Sequence, residues 1–278
     1  MKHPSLKIGA AIVILLITGL AVYLTVMVPA EFRAQTNPAL ACQSAVFDKS
    51  AFVFDVFLIC GTRDVSAEKL SHAAQVAAEW LDNDEDGQVD EPQLLETLRA
   101  SKPMVIMSAN GVPITVLPRI LPTLSDYKTQ DLWAFETAPA GDNRDASQEE
   151  IHHLIMNAGW QTLFPATFSE TASDNSTLYQ AWKFADDNEY YVYNDPTCNA
   201  SCKVTEFVYL ATAAYMESGA EKDLASDEMR LKSRAALQEK IPSMIDIFEA
   251  DSYVYPTHHW PDGQYPYPEN IVFFGINE

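Results

Sequence analysis

Short apolar runs rich in β-branched or aromatic residues mark the strands of this chain. They are bounded by polar or turn-forming residues and are too short for typical helices, so each predicts a strand. The predicted strands lie at 51–59, 104–107 and 131–137. The segment 114–124 contains Pro118 and Pro122. It is predicted to be extended or turning chain, because proline interrupts a long helix.

Other apolar residues recur at helical spacing. After Ser66, a residue type that caps helix starts, Leu70, Ala73 and Ala77 share one face. The same periodicity predicts helices at 91–99, from 147 onward, at 204–216 and within 221–250. The aromatic and proline-rich tail, 253–274, is expected to wrap over the surface. Together these elements predict an α+β fold in one domain.

An uncharged and mainly apolar stretch lies at 8–28, preceded by Lys2 and Lys7. At 1.5 Å per residue it spans about 30 Å, the thickness of a bilayer core. The basic flank predicts a cytoplasmic tip. We therefore expect 1–35 to comprise this tip, a membrane anchor and the start of a linker, and 36–278 to form an extracytoplasmic domain. Cleavage after the apolar stretch would instead give a secreted protein.

Charge and cysteine content narrow the functional classes. The net charge of −21 disfavours nucleic-acid partners, because binding to phosphate needs a basic surface. The four cysteines fit disulfides in an oxidising compartment. Of the three connectivities, we favour Cys42–Cys60 with Cys198–Cys202. A metal pair formed by Cys198 and Cys202 is the alternative.

The loop 82–93 between the first two predicted helices is rich in oxygen donors. Asp82, Asp84 and Asp86 occupy alternate positions, Gly87 follows, and Asp90 stands at position 9. This is the pattern of an EF-hand calcium loop, in which the residue at position 7 contributes its backbone carbonyl. Calcium ligands are therefore predicted at Asp82, Asp84, Asp86, Gln88 and Asp90, within a helix-loop-helix at 66–99. Position 12 is Gln93 instead of glutamate, so we expect weak binding and a structural role.

A second candidate site lies in the helix that follows Ser147. Glu149 and His153 are four residues apart and therefore project from one helical face, with Glu150 between them. The alternative is a plain capping box, in which Ser147 and Glu150 satisfy the start of the helix. Glu206 is the only charged residue in the apolar helix 204–216, and an isolated buried carboxylate needs a cation or a hydrogen-bonding partner. An ion pair is the alternative explanation for Glu206.

The helix Glu149-Glu150-x-x-His153, preceded by a strand and followed by a helix carrying Glu206, resembles a zincin-type metallopeptidase core over 130–216. With the acidic loop upstream, the chain is similar to uncharacterised secreted proteins that combine such elements. The resemblance implies a single zincin-like domain behind the N-terminal helix. It also implies metal ligands at Glu149, His153 and Glu206 and a catalytic base at Glu150.

Where the zincin pattern has a histidine, this chain has Glu149. Two carboxylates and one imidazole weaken the activation of water by zinc and widen the choice of divalent transition metal. Two functional classes follow from the sequence: a metal-dependent peptidase or hydrolase, and a noncatalytic calcium-stabilised binding module. His72 and the pair His258–His259 are weaker ligand candidates.

Overall fold

A computed structural model describes residues 42, 46–141 and 143–276. The predicted membrane anchor at 8–28 lies outside these residues. Within the described ranges, no helix combines the length and apolar character needed to cross a membrane. The described part of the chain is a mixed α+β structure built on a single sheet, which confirms the predicted fold class.

The sheet has the strand order β4-β3-β2-β1-β5. The strands β1, β2 and β5 are antiparallel neighbours, whereas β2, β3 and β4 run parallel to one another. Helical crossovers separate the parallel strands, as parallel pairing requires. The strands are β1 Phe47–Val53, β2 Phe57–Thr62, β3 Pro103–Ser108, β4 Lys128–Trp133 and β5 Ile271–Phe274.

The apolar run at 51–59 is a hairpin, and the prediction of a single strand there is wrong. The chain turns at Phe54 and Asp55, which both adopt the left-handed conformation with φ of 48° and 56°. A tight hairpin turn needs positive φ at both central residues, and glycine or asparagine usually supplies it. Because Phe54 is neither, the turn carries no clear sequence signal.

The helices occupy mainly one side of the sheet. They are α1 Ala67–Leu81, α2 Pro92–Ser101, α3 Leu117–Leu124, α4 Ala146–Ile155, α5 Thr177–Asp187, α6 Ala200–Met216, α7 Arg234–Lys240 and α8 Pro242–Phe248. A π-helical turn, Met156–Trp160, extends α4, and two short turns follow at Gln161–Leu163 and Pro165–Phe168. The remaining turns are the 3₁₀ segments Asp223–Ala225 and Pro268–Asn270.

Alternating side chains on β2 and β3 enter two different cores. Phe57 and Ile59 pack in the larger core, which also contains residues of α1, α4 and α6. Leu58 and Cys60 point to the opposite face, where Ile120 of α3 covers the sheet. The sheet is therefore buried on both faces, which explains why β2 and β3 are continuously apolar instead of alternating.

Two further predictions fail at segment boundaries. The segment 114–124 contains the helix α3, because Pro118 lies in its first turn, where no intrahelical N–H is needed. The expected charged helix within 221–250 is broken into a 3₁₀ turn, α7 and α8. Pro242 begins α8, and its ring limits the helical conformation of the preceding residue.

The tail does wrap over the domain, and several of its residues enter the core. Trp260 and Tyr265 are buried, and β5 adds an edge strand to β1. Side chains of α1 and the following loop hold the tail. Asn83 accepts hydrogen bonds from the backbone N–H groups of His258 and His259, at 2.6 and 3.1 Å. The tail is thus attached to the acidic loop that begins at Asp82.

Both favoured disulfides are present, Cys42–Cys60 and Cys198–Cys202. The second one links Cys198, the residue before the N-cap, to the first turn of α6, and Asn199 caps the same turn by accepting a hydrogen bond from Cys202 N. Glu206 lies one turn further along α6. The first turn of the helix that carries Glu206 is therefore covalently fixed, and the predicted alternative of a cysteine metal pair does not apply.

Candidate metal centre

The helix α4 begins at a buried cap that the sequence did not single out. Asp145 is the N-cap and accepts hydrogen bonds from Ser147 N at 3.1 Å, Ser147 Oγ at 2.8 Å and Ala138 N at 3.1 Å. His72 Nε2 of α1 lies 2.5 Å from the same carboxylate. Burial acts to raise the pKa of Asp145, but the hydrogen bonds from His72 and Ser147 hold it below its usual value. Ser147 is therefore not the cap, and the capping-box alternative for Glu150 is wrong.

Three predicted ligands meet between α4 and α6. Glu149, His153 and Glu206 each offer a ligand atom, and these atoms lie within 4.8 Å of one another. His153 Nε2 is 3.5 Å from Glu206 Oε2. The helical spacing of Glu149 and His153 thus brings both side chains to Glu206, the one charged residue in the apolar part of α6, 204–216.

The imidazole of His153 has no hydrogen bond at its inner nitrogen. His153 Nε2 is buried and has no hydrogen-bond partner in the part of the chain that the structure describes, and the side chain is only 6% exposed. A buried polar atom left unpaired costs free energy, so such atoms are uncommon in folded proteins and often mark a functional site. His153 Nε2 faces the two carboxylates, where a shared cation would satisfy it.

Glu150 contacts the other nitrogen of the same ring. Its Oε2 atom accepts a hydrogen bond of 2.5 Å from Gln130 Nε2 on the edge strand β4 and lies 3.6 Å from His153 Nδ1. A carboxylate on the outer nitrogen orients a ligating histidine and increases its basicity. The position of Glu150 therefore suits an orienting role as well as the role of a base.

The cluster holds more negative than positive charge. Burial, and then the charge of Glu149, raises the pKa of Glu206 to about 8, against the effect of His153. Burial favours a neutral His153, but the contact with Glu150 and the charge of Glu206 outweigh it and raise the pKa of His153 to about 9. Without a cation, protonated Glu206 donates a hydrogen bond to Glu149. The cluster thus retains protons that a metal would displace.

Arg144 supplies one internal cation to this region. It donates hydrogen bonds to Glu149 and, at 3.1 Å, to Asp223. Burial alone would raise the pKa of Glu149, but the charges of His153 and Arg144 hold it below its usual value. Tyr209 also donates to Asp223, at 2.7 Å, which fixes the carboxylate that positions Arg144. Glu149 is consequently ionised, and one of its carboxylate oxygens accepts a hydrogen bond from Arg144.

Three residues at this centre are not identifiable from sequence patterns. Arg144 lies in a loop, and Gln130 lies on a strand whose pairing had to be known. Tyr191 is fully buried, and its hydroxyl has no hydrogen-bond partner among the described residues. Burial and then the charge of Glu206 raise the pKa of Tyr191, so its hydroxyl stays protonated near the cluster. An apolar environment around a tyrosine gives no signal of this kind in the sequence.

The weaker histidine candidates lie elsewhere. His72 pairs with Asp145, and His259 lies beside Glu79 and Asp262. His152, next to His153, faces the core and contacts the Tyr255 hydroxyl at 3.0 Å. Burial holds the pKa of His152 well below its usual value, so this ring is neutral.

The acidic loop brings three of its carboxylates together. One ligand atom each of Asp82, Asp84 and Asp86 lies within 4.8 Å of the others, and Gly87 has a φ of 92°. Asp84, Asp86, Gln88 and Asp90 line a cavity of about 270 Å³. Burial, countered by a backbone hydrogen bond and reinforced by the charges of Asp84 and Asp82, raises the pKa of Asp90 to about 6. The flanking elements are α1 and α2, as the pattern requires.

Glu91 does not replace the glutamate missing at position 12. It caps α2, with Oε1 accepting from Gln93 N at 3.2 Å and Oε2 accepting from Val254 N at 3.3 Å. Asp82 is fully buried and accepts from the N–H groups of Asp86 and Gly87 and from the Tyr265 hydroxyl. The loop is thus already folded by its own hydrogen bonds, and its ligand set lacks one bidentate carboxylate.

No protein-family model matches this chain, and comparisons with curated proteins and with solved structures found no relative.

The Asp145 cap is expected to matter more than an ordinary helix cap. Asp145→Ala removes three hydrogen bonds and leaves His72 buried without its partner, so it should lower the free energy of unfolding by about 2–4 kcal/mol. Ser66→Ala, which removes only the cap of α1, is the matched control and should cost about 1 kcal/mol. Urea unfolding of both variants checks this. Equal losses would show that the contact between His72 and Asp145 contributes nothing.

Proposed function

We propose that this chain is an exported metal-binding protein, anchored through 8–28, in which Glu149, His153 and Glu206 bind a divalent transition metal. The observation that carries the proposal is the buried His153 Nε2, which has no hydrogen-bond partner among the described residues and faces two carboxylates. The two disulfides support export, because such bonds persist in oxidising compartments.

The ligand chemistry favours a transition metal over calcium at this centre. Calcium is bound almost entirely by oxygen atoms, whereas an imidazole nitrogen suits zinc, manganese or iron. The 3.5 Å between His153 Nε2 and Glu206 Oε2 already suits two ligands of one ion, because metal–ligand bonds of roughly 2.0–2.2 Å in tetrahedral geometry place two ligand atoms about 3.4 Å apart. Arg144 would then keep its contact with Asp223 and neutralise part of the charge on Glu149.

A hydrolytic role is the proposed use of this metal, within a zincin-like arrangement. The helix α4 lies beside the edge strand β4, and a later helix, α6, supplies the third ligand. A groove of about 610 Å³ borders Glu149 and Glu150, large enough for part of a peptide. A divalent metal supplies Lewis acidity at this point. Glu150, which is 27% exposed, could then take up a proton at its carboxylate.

Calcium at the loop 82–93 is the second part of the proposal. Asn83 and Asp82 of this loop hold the tail through its backbone at His258 and through Tyr265. Calcium would fix the loop and, through these contacts, the tail. The noncatalytic alternative uses the loop alone, as a stabiliser of an extracytoplasmic binding module.

The substitution Glu206→Gln tests metal binding at this centre. Glu206 is mainly protonated at neutral pH, so a neutral glutamine should leave the metal-free fold about as stable as the wild type. Zinc binding at this centre should nevertheless be lost, since the variant lacks an anionic ligand. Glu170→Gln is the control, because Glu170 lines the same cavity of about 360 Å³ outside the ligand set. Zinc calorimetry and thermal unfolding of the full chain check both. Undiminished zinc binding in Glu206→Gln and His153→Ala would refute the centre.

Glu150→Gln separates the two roles of Glu150. A catalytic base predicts that the variant keeps its metal and loses hydrolysis of fluorogenic peptides. A purely orienting carboxylate predicts a roughly 10–100-fold loss of metal affinity. A wild-type protein that holds the metal and cleaves no peptide in a broad mixture would exclude the peptidase.

Two substitutions in the loop should change its calcium affinity in opposite directions. Gln93→Glu restores the bidentate ligand and should tighten calcium binding by at least about 10-fold, because affinity follows ligand charge. Asp84→Asn should weaken it, whereas Glu85→Gln makes the same charge change at a position outside the ligand pattern. Calorimetry and the calcium-dependent thermal shift provide the readout. If all four proteins respond to calcium identically, the loop is only an acidic turn.

A further inference from the structure

A second cluster of metal-ligating side chains lies where the tail crosses α1. Glu79, His259 and Asp262 each offer a ligand atom within 4.8 Å of the others. Glu79 belongs to α1, and the other two belong to the tail, about 180 residues later in the chain. The cluster shares no residue with the centre at His153 or with the calcium loop.

The imidazole of His259 provides a second indication that this cluster binds a cation. Its Nε2 atom is buried and has no hydrogen-bond partner within the described ranges, although the side chain as a whole is 40% exposed. Asp262 Oδ1 lies 3.9 Å from this nitrogen, too far for a hydrogen bond. A nitrogen enclosed among carboxylates but not paired with them is the arrangement that a bound cation would complete.

Glu79 is fully buried and has no lysine or arginine partner in the part of the chain that is described. Its two oxygens accept hydrogen bonds from the backbone N–H groups of Gly263, at 2.9 Å, and Gln264, at 2.7 Å. Each oxygen retains a lone pair for a metal. An ionised carboxylate that is buried in this way, with no cationic side chain beside it among the described residues, would be stabilised by a bound cation.

The tail residues are held rigidly enough to act as ligands. Asn83 fixes the backbone of His259 on both sides, accepting from its N–H and donating to its carbonyl at 2.6 Å. Gln148 of α4 donates to the Pro261 carbonyl at 2.5 Å. Gly263 has a φ of 77°, and a Cβ atom there would lie 2.1 Å from His72. The turn that carries Asp262 is thus packed tightly against α1 and α4.

We propose that Glu79, His259 and Asp262 form a second transition-metal site, which joins the tail to α1. The imidazole nitrogen distinguishes this site from a calcium site, and the two carboxylates suit zinc or manganese. A cavity of about 400 Å³, lined by His259 and Asp262, gives the ion a path from solvent. The metal would add ligand bonds to the backbone contacts that already hold the tail.

Zinc is the probe for this site, and two partly exposed residues are the targets. The full chain, stripped of metal and kept in excess calcium, should bind two zinc ions. His259→Ala and Asp262→Asn should each abolish binding of one of the two zinc ions. The loss of affinity at that site should exceed the roughly 10–100-fold loss that follows when a residue hydrogen-bonded to a ligand is removed. His258→Ala is the control, because that neighbouring histidine is exposed and lies outside the cluster.

The two zinc sites are separable by their variants. His153→Ala should leave one zinc ion whose binding still depends on His259. If the wild type binds a single zinc ion that His259→Ala abolishes, the second site stands and the centre at His153 fails. If His259→Ala and Asp262→Asn change neither the stoichiometry nor the affinity, the second site is refuted. Histidine side-chain ¹⁵N NMR gives a separate readout: zinc should shift the Nε2 resonance of His259, and an unchanged resonance would also refute the site.

Discussion

The structure of this domain depends on one constraint: several carboxylates are buried, although few cationic side chains lie close enough to neutralise them. Glu79, Asp82, Glu149 and Glu206 all lie in or near the core, and among the described residues only Glu149 of these four has an arginine partner. An ionised carboxylate away from water is stable only with strong hydrogen bonds or an opposite charge. Asp82 and Glu79 use backbone N–H groups of a turn, and Glu206 stays protonated beside His153. Each solution leaves capacity for a cation, and this links the acidic composition to the proposed metal binding.

The second consequence of this constraint is the arrangement of the tail. Its backbone N–H groups are the hydrogen-bond donors that Glu79 and Asn83 need, and its Tyr265 hydroxyl serves Asp82. The tail is therefore a structural part of the acidic region and not a loose cover. A cation in the loop 82–93 and one at Glu79 would act on the same segment from both sides of Asn83. Binding at either position would be expected to stabilise the native state by mass action.

Local patterns predicted the parts of the centre that lie within one element. The four-residue spacing of Glu149 and His153 is a property of any helix, and the lone charge of Glu206 in an apolar helix is visible in the sequence. The same holds for the Ser66 cap and for both disulfide pairs. These features follow from helix geometry, desolvation and short sequence separation.

Local sequence patterns could not predict contacts between residues that lie far apart in the chain. Gln130 meets Glu150 only because β4 lies at the sheet edge next to α4, and His72 meets Asp145 across 73 residues. Asp145 and Ser147 are both ordinary capping residues, so the choice between them depended on His72. The turn at Phe54 was missed because a phenylalanine with positive φ contradicts local preference. Tertiary contacts decided each of these cases.

Anomalous X-ray diffraction from crystals of the zinc-loaded protein tests the central claim most directly. The account predicts a peak at the zinc edge between α4 and α6, about 2.0–2.2 Å from His153 Nε2 and from oxygens of Glu149 and Glu206. Arg144 should remain on Asp223. A fully zinc-loaded crystal without a peak at that position, with Glu206 still hydrogen-bonded to Glu149, would contradict the account.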